Sequence, residues 1–253
     1  MINLDCLTCK NCENELTINS KFCPKCGHSI IKKEIEGKES NLNKIIAFYI
    51  SVIFFIIISY FINNNFYENF IVELITEICF AFIIFIFCIY DLKAVLKLYK
   101  LPKLSISAYL LASLVPIISS FIVYFSINSL NTIIDPTKYN NYYINYLYLE
   151  NPLLWSIIFV SILPPVFEEL AFRGYLYNIM KKVTNDKITI IATSFLFALI
   201  HFSFISLLWI FPFGLFLGYL RKKYNTLWLC MIAHFIHNFI VLMLDYYTYN
   251  YIF

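Results

Sequence analysis

Two adjacent glutamates, Glu168 and Glu169, precede Arg173 near the end of a long apolar stretch. Each charge placed in a membrane interior costs about 2.5–3.5 kcal/mol on insertion scales, and more when it faces lipid unpaired. A charged cluster in this position therefore points to chemistry, to ion passage or to the locking of helices. Because a carboxylate in a water-poor cavity is a suitable general base for water, the stretch favours water activation inside a helix bundle.

Three more polar side chains, His201, His234 and Asn238, lie deep in the apolar segments that follow. Counted from the lysines at the segment ends at about 1.5 Å per residue, Glu168 lies about 20 Å deep. By the same count the three later side chains lie about 21, 17 and 23 Å deep. Since the segments run in alternate directions, this agreement within about one helical turn predicts one shared polar site.

Neighbouring residues on a helix point about 100° apart, so one glutamate can face this site while the other contacts a neighbouring helix or the arginine. The spacing of Glu169 and Arg173 predicts an i, i+4 salt bridge. His201 and His234 can donate to, or coordinate, an attacked carbonyl or a water. Asn238 follows His234 by four residues and can donate to an oxyanion.

Two prolines, Pro164 and Pro165, stand just before the glutamates. They remove backbone N–H donors, so carbonyls are freed that a cavity must satisfy. Glu73 and Glu77, by contrast, are interpreted as the interfacial start of a helix.

The composition indicates what kind of scaffold positions these groups. Of 253 residues, 60% are hydrophobic, 19% aromatic and only 14% charged. A soluble domain carries about 25% charged residues, so the chain is expected to be an integral membrane protein. The first 43 residues are polar, and no cleavable secretory signal is visible.

Seven apolar segments are expected to cross the membrane, because about 20 helical residues match a hydrocarbon core of about 30 Å. The segments are 44–62, 71–90, 106–126, 153–180, 188–204, 206–220 and 226–247. The sixth is short enough to be tilted or partly re-entrant. The predicted fold class is thus all-α: a polytopic membrane helix bundle of about seven spans, with transmembrane helices at 44–126 and a catalytic bundle at 150–247.

The cations predict the orientation. All of the 19 lysines and arginines except Lys138 fall on one side of a seven-span arrangement. By the positive-inside rule, we expect a cytoplasmic-membrane protein with its N-terminus in the cytoplasm and its C-terminus outside. The lipid bilayer is then a partner, and nucleic acid is not. The aromatic loop 127–152 and the tyrosine-rich C-terminal end are interpreted as interfacial anchors.

Residues 1–30 carry a second constellation, in which Cys9, Cys12, Cys23 and Cys26 form two Cys-x2-Cys pairs. Four thiolates at this spacing suit a structural Zn²⁺, and so short a segment needs the metal in order to fold. A disulfide pairing is disfavoured, because this end is expected in the reducing cytosol. Cys6 is a spare ligand that could replace Cys9 or Cys12.

The cysteine pairs resemble the short zinc ribbons that precede many bacterial membrane proteins. One departure is Glu13, since those ribbons usually carry Gly after the first pair. His28 is a substitute ligand or a solvated side chain. The charged residues at 31–43 are interpreted as a solvated linker between the ribbon and the first span.

The polar motifs of the later spans resemble the CPBP family, the CAAX-protease and bacteriocin-processing membrane proteins that include the Rce1-type prenyl-protein endopeptidases. The matching residues are Glu168-Glu169-x3-Arg173, Phe197-x3-His201 and His234-x3-Asn238. The resemblance covers about residues 150–243 and leaves the first three spans and the cysteine pairs outside its motifs.

This resemblance implies a membrane-embedded endopeptidase in which Glu168 activates water with His201 as its partner. His234 and Asn238 would then stabilise the tetrahedral intermediate. Arg173 is interpreted as a counter-ion. Phe197, in the second motif, is interpreted as a packing residue, and His237, one turn from His234, as lining the cavity or contacting a helix.

A metal in the core stays an open alternative. The family is described as metal-dependent, and Glu168, His201 and His234 have the ligand count of a zinc protease. The His-Glu-x2-His helix of ordinary zincins is missing, however, which favours a core without a tightly held metal.

The favoured function is an endopeptidase that cleaves a membrane-delivered peptide or protein. The composition, rich in Asn, Ile and Lys, has a bacterial character, which favours signal remnants, peptide pheromones or bacteriocin leaders over prenylated proteins. The alternative is a bacteriocin self-immunity or scaffold protein that binds a peptide or a partner enzyme without cleavage. A carrier or proton relay is a third hypothesis, and no inverted repeat supports it.

Overall fold

The computed structural model describes residues 7–9, 11–16, 20–27, 30–100, 102–134 and 141–251. Cys6, His28 and Lys138, which entered the predictions above, lie outside the described residues. Within them, β1 (Leu7–Thr8) pairs antiparallel with β2 (Glu15–Leu16). The eight helices of this part of the chain are α1 (Ile30–Asn65), α2 (Phe70–Ile89), α3 (Leu92–Lys97), α4 (Ile106–Ile134), α5 (Pro152–Met180), α6 (Asp186–Leu199), α7 (Phe204–Tyr224) and α8 (Trp228–Tyr251).

Five of these helices, α1, α2, α4, α5 and α8, are long and apolar enough to cross a membrane. The predicted all-α polytopic bundle is therefore confirmed. The segments predicted at 188–204 and 206–220 form α6 and α7. With 14 residues, α6 is shorter than the length of about 20 that a spanning helix needs. With 21 residues, α7 ends in the three cations Arg221, Lys222 and Lys223.

The first span is longer than its apolar part. Because α1 begins at Ile30, the charged residues at 31–43 continue the first span as a helix. After α1 ends at Asn65, the Asn69 Oδ1 accepts hydrogen bonds from the N–H groups of Ile71 and Val72 at 3.1 and 3.2 Å. This N-cap starts α2 directly after the turn, so α1 and α2 form a tight helical hairpin.

The helices pack in two groups that meet at α5. In the first, Phe48 of α1 lies 5.2 Å from both Phe87 of α2 and Tyr175 of α5, measured between ring centroids. In the second, Ala108 and Ala112 of α4 pack against α7 and α8. The outer faces of α1, α2 and α4 expose many large apolar side chains, as expected of surfaces that contact lipid.

Helix α5 contains two π-helical turns, at Ile157–Ile162 and Leu170–Leu176. The first results from Pro164 and Pro165, which have no N–H to donate to the carbonyls four residues earlier. The N–H of Leu163 instead reaches five residues back to the Ile158 carbonyl. Such turns are frequent at functional sites, and here they flank the segment that ends in the two glutamates.

Charged groups join the helix ends at one end of the bundle. Lys182 donates to Asp91, after α2, at 2.9 Å, and Lys181 contacts Asp186 of α6 at 2.8 Å. The hydrogen bond from Lys181 and the nearby charge of Lys222 lower the pKa of Asp186 below its ordinary value. These surface pairs orient α5 and α6 but are screened by solvent.

Candidate active site and metal centre

Glu169 is fully buried and accepts two hydrogen bonds at one oxygen. Its Oε1 lies 2.9 Å from Nη1 of Arg173 and 2.9 Å from Nδ1 of His234. The i, i+4 pair expected from the sequence is thus present, and it is closed off from solvent. Because an ionised carboxylate only accepts hydrogen bonds, Nδ1 of His234 carries the proton.

The guanidinium of Arg173 joins three helices. Its Nη2 donates to the Gly214 carbonyl of α7 at 3.1 Å. Its Cζ lies 4.4 Å from the ring centroid of Phe197 on α6, which is a cation–π contact. Phe197 is therefore a packing residue, as predicted, and its ring packs against the guanidinium of Arg173.

The second π-helical turn creates a contact that sequence reasoning missed. The N–H of Tyr177 donates to the Phe172 carbonyl, five residues back, so the Arg173 carbonyl lacks its helical donor. Nε of Arg221 donates to that carbonyl at 2.8 Å. The two other nitrogens of Arg221 donate to Asn178 at 2.8 Å and to Asn225 at 2.7 Å.

The sequence pattern places Arg221 only among the cations beside a span, yet this residue is 4% exposed. The sequence did hold a signal. Arg173 and Arg221 are the only two arginines of the 253 residues, and every other basic residue except histidine is lysine. Arginine is the residue suited to buried, multiply bonded positions, so its rarity here was informative.

Glu168 faces His234 without a hydrogen bond to it. Its Oε2 lies 3.9 Å from Nε2 of His234 and, within the described residues, is buried with no hydrogen-bond partner. With the ring proton on Nδ1, Nε2 of a neutral His234 is an acceptor. Two acceptors that face each other need a donor between them, which is either a bridging water or a proton on one of the two.

His201 lies at the end of α6 with its side chain exposed. Its Nδ1 lies 2.9 Å from the Phe197 carbonyl, one of the last carbonyls of the helix, which have no intrahelical donor. Donation from Nδ1 leaves Nε2 available for a substrate.

Asn238 lies on α8 beside the first π-helical turn. Its Nδ2 donates at 3.0 Å to the Val160 carbonyl, whose usual donor position is occupied by Pro164. The carboxamide thus satisfies one of the carbonyls that the prolines were expected to free, and its second N–H stays available. His237 contacts a helix, as interpreted: its Nδ1 lies 3.0 Å from Ser119 Oγ of α4.

Helices α6 and α7 approach each other closely beside the Arg173 guanidinium. A Cβ at Gly214 would lie 3.1 Å from Ser194 Cβ and 3.3 Å from Arg173 Nη2, and one at Gly218 would lie 2.9 Å from Ile190 Cγ2. The Gly214-x3-Gly218 spacing is the small-residue pattern that brings membrane helices together. Sequence reasoning overlooked this pattern although it was visible.

The cysteines form a candidate metal centre. The Sγ atoms of Cys9, Cys12, Cys23 and Cys26 all lie within 4.8 Å of one another and could hold one metal ion. The pairs are related: the residue after the first is Glu13, with φ +55°, and the residue after the second is Gly27, with φ +70°. Both positions are left-handed, which explains why ribbons of this kind usually carry glycine there.

The core residues Glu168, His201 and His234 are the second candidate metal site. Within the described residues, one group of three or more side chains could hold a metal ion, and it is the four cysteines, whose Sγ atoms lie within 4.8 Å of one another. Glu168, His201 and His234 do not form such a group in this arrangement.

Part of the chain is similar to a known protein family. Residues 150–240 match the family model of the type II CAAX prenyl endopeptidase Rce1-like proteins. These residues are therefore similar to the Rce1-like family. The expected likeness to the CPBP and Rce1-type proteins is thus confirmed, and the six predicted core site residues all lie in the matched range. Comparisons with curated proteins and with solved structures gave no match.

The Rce1-like family and the five apolar helices together support an integral membrane protein with an enzyme of the CAAX-protease type. The bilayer is therefore one partner, and a peptide or protein substrate is the other. The matched range begins just before α5 and includes α6 and α7. The cysteine cluster and helices α1 to α4 lie outside it.

Proposed function

We propose that this protein is an intramembrane endopeptidase that hydrolyses a peptide bond with a water activated by Glu168. The observation that carries the proposal is the unpaired Oε2 of Glu168, 3.9 Å from Nε2 of His234. The adjacent Glu169 accepts from Arg173 and from His234 at its Oε1, and only its Oε2 has no partner among the described residues. Glu168 has no such bonds, so the two neighbouring carboxylates have different tasks.

A water between Glu168 and His234 would donate one hydrogen to each of them. Its lone pairs then point away from both groups, towards a bound substrate carbonyl. As the water oxygen bonds to the carbonyl carbon, Glu168 takes the proton and the carbonyl electrons move to its oxygen. When the C–N bond breaks, that proton passes to the leaving nitrogen, which yields an amine and a carboxylic acid that keeps the other hydrogen of the water.

The remaining residues have supporting roles in this proposal. Glu169 fixes the tautomer of His234 by accepting from Nδ1, so Nε2 is ready for the water. His201 presents Nε2 to the substrate and can carry a proton to the leaving amine. The second N–H of Asn238 donates to the oxyanion, for which one such donor is worth about 2.7–4 kcal/mol.

We further propose that the four cysteines hold a structural Zn²⁺, which supplies the positive charge that four neighbouring thiolates need. The cation distribution supports an N-terminus in the cytoplasm and a C-terminus outside. The ribbon would then recruit a substrate or a partner on the cytoplasmic side. Membrane-delivered peptides such as signal remnants, pheromones or bacteriocin leaders are the proposed substrates.

The test is cleavage of a peptide library by the purified protein in lipid vesicles, together with metal analysis of the same sample. We expect Glu168→Ala to abolish cleavage while the protein still inserts in the membrane, and Glu73→Ala to retain it. Glu73 is a suitable control because it lies at the start of α2 and bonds to Tyr148. Cleavage by Glu168→Ala at the wild-type rate would overturn the proposal.

A further inference from the structure

A cavity of about 560 Å³ lies between α1, α2 and α5, away from the glutamates. Helix α1 contributes Glu39, Ser40 and Lys44, while Phe87 of α2 and Tyr90, directly after α2, line the other side. The cavity lies at the level where the apolar part of α2 ends, next to the Asp91–Lys182 ion pair described above. This is the depth at which lipid headgroups meet tyrosines and charged side chains.

Tyr175 of α5 also lines the cavity. The side chain has no solvent exposure, and its hydroxyl has no hydrogen-bond partner within the described part of the chain. The ring is fixed between Phe48 and Phe87, at 5.2 and 5.6 Å between centroids. A buried hydroxyl without a partner is unfavourable, so a ligand oxygen that accepts from it would gain binding free energy.

The charges of the cavity are complementary to a ligand that carries both signs. Glu39 and Lys44 supply one carboxylate and one ammonium, and no ion pair of either residue is found in the part of the chain that the structure describes. Phe87 and Tyr90 add an aromatic wall next to them. A purely anionic ligand would meet the carboxylate, whereas a zwitterionic one satisfies both charges.

We propose that this cavity binds the headgroup of a zwitterionic phospholipid that carries an ammonium group. The phosphate would accept from Lys44 and from the Tyr175 hydroxyl. The ammonium would lie against Glu39 and the face of Tyr90, a cation–π arrangement. The acyl chains would then follow the exposed apolar faces of α1 and α2 into the bilayer.

Such a lipid would join the two N-terminal spans to the helix that carries the glutamates. Tyr175 lies in the second π-helical turn, next to Gly174 and seven residues after Glu168. Bound lipid is therefore expected to raise the melting temperature of the full-length protein, because it binds the folded bundle and not the unfolded chain.

The experiment uses the full-length protein, delipidated in detergent, with phosphatidylethanolamine or phosphatidylglycerol of matched acyl chains added back. Bound lipid is counted by native mass spectrometry and the melting temperature is measured. We expect phosphatidylethanolamine to bind and stabilise more than phosphatidylglycerol. Tyr175→Phe should weaken this binding about tenfold, as for one hydrogen bond to a charged group.

Tyr177→Phe is the matched control, because Tyr177 is also buried with an unpartnered hydroxyl among the described residues but does not line the cavity. It should bind lipid as wild type does, and Glu39→Gln should lose the preference for phosphatidylethanolamine. Equal binding of the two lipids by wild type, or unchanged binding by Tyr175→Phe, would overturn the proposal. Displacement of the lipid by a cleavable peptide would instead assign the cavity to the substrate.

Discussion

The molecule holds two polar clusters that are built on opposite principles. The ribbon collects four cysteines, all of one chemical type, from residues 9–26. The core cluster combines a glutamate, an arginine and a histidine from helices whose residues are up to 65 positions apart in sequence. Four thiolates in the ribbon would need an external cation to balance their charge, whereas the core cluster contains its own counter-ion, Arg173.

This difference predicts different consequences for the loss of a residue. The ribbon should lose its fold without its metal and leave the helix bundle intact, since so few residues cannot build a core. The core cluster should lose stability when Glu169 or Arg173 is removed, because a buried charge then remains without its partner. Glu168 is the exception within the core, because its Oε2 has no hydrogen-bond partner among the described residues to lose.

Removal of the metal should have the largest effect and should separate the two clusters. Zinc-finger peptides bind Zn²⁺ with about 10–16 kcal/mol at neutral pH, so chelation or Cys23→Ser should unfold the ribbon. Limited proteolysis would then cut near residues 7–27, while the melting temperature of the bundle stays unchanged. Cys79→Ser, at an exposed cysteine of α2, is the control. A ribbon that stays protease-resistant after the metal is lost would contradict the claim that the ribbon depends on a metal for its fold.

Arg173→Met should cause the next largest loss, because it leaves the Glu169 carboxylate buried with His234 alone. The expected cost is about 3–5 kcal/mol of unfolding free energy, measured by denaturation in mixed micelles. Lys182→Met removes an exposed ion pair with Asp91 and should cost below about 1 kcal/mol. Equal losses of unfolding free energy in the two variants would contradict the claim that the buried ion pair contributes more to stability than the exposed one.

Gly214→Ala tests whether close helix approach supports the core cluster. The added methyl group would press on Ser194 and on the guanidinium of Arg173, and overpacking of this kind costs about 1–3 kcal/mol. Gly37→Ala is the matched control, since a Cβ there meets nothing within 4 Å. The melting temperatures of the two variants are compared. A Gly214→Ala variant with the melting temperature of the wild type would contradict the close approach of the two helices.

Glu13→Gly should give the smallest effect, and it should be favourable. The φ of +55° at Glu13 strains any residue with a side chain by about 1 kcal/mol, which glycine avoids. The ribbon should therefore bind Zn²⁺ several-fold more tightly by competition with a chelator. Gly27→Ala, at the equivalent position, should change the affinity in the opposite direction. Weaker binding by Glu13→Gly would contradict this account of the two cysteine pairs.

Local spacing was sufficient to predict the parts of both clusters that lie close in sequence. The Cys-x2-Cys pairs and the i, i+4 pair of Glu169 and Arg173 follow from turn and helix geometry alone. The common depth of the polar residues also predicted that Glu168 and His234 would meet. Rise per residue fixes depth along a helix, so these predictions needed no knowledge of the packing.

What could not be predicted depends on rotation about the helix axes and on how helices pack. Two π-helical turns change the direction in which the α5 side chains point, so the choice of Glu169 as the His234 partner was open. The Val160 carbonyl as the partner of Asn238 depends on the packing of α8 against α5. The burial of Arg221 depends on a carbonyl that only the second π-helical turn exposes.

The most direct measurement compares isosteric variants of the two adjacent glutamates, each assayed for peptide cleavage and for melting temperature. Our account predicts that Glu168→Gln loses cleavage at least about 100-fold with an unchanged melting temperature, as expected for a general base. Glu169→Gln should instead lower the melting temperature, because Arg173 loses its counter-ion. Wild-type cleavage by Glu168→Gln would contradict the claim that this carboxylate activates water.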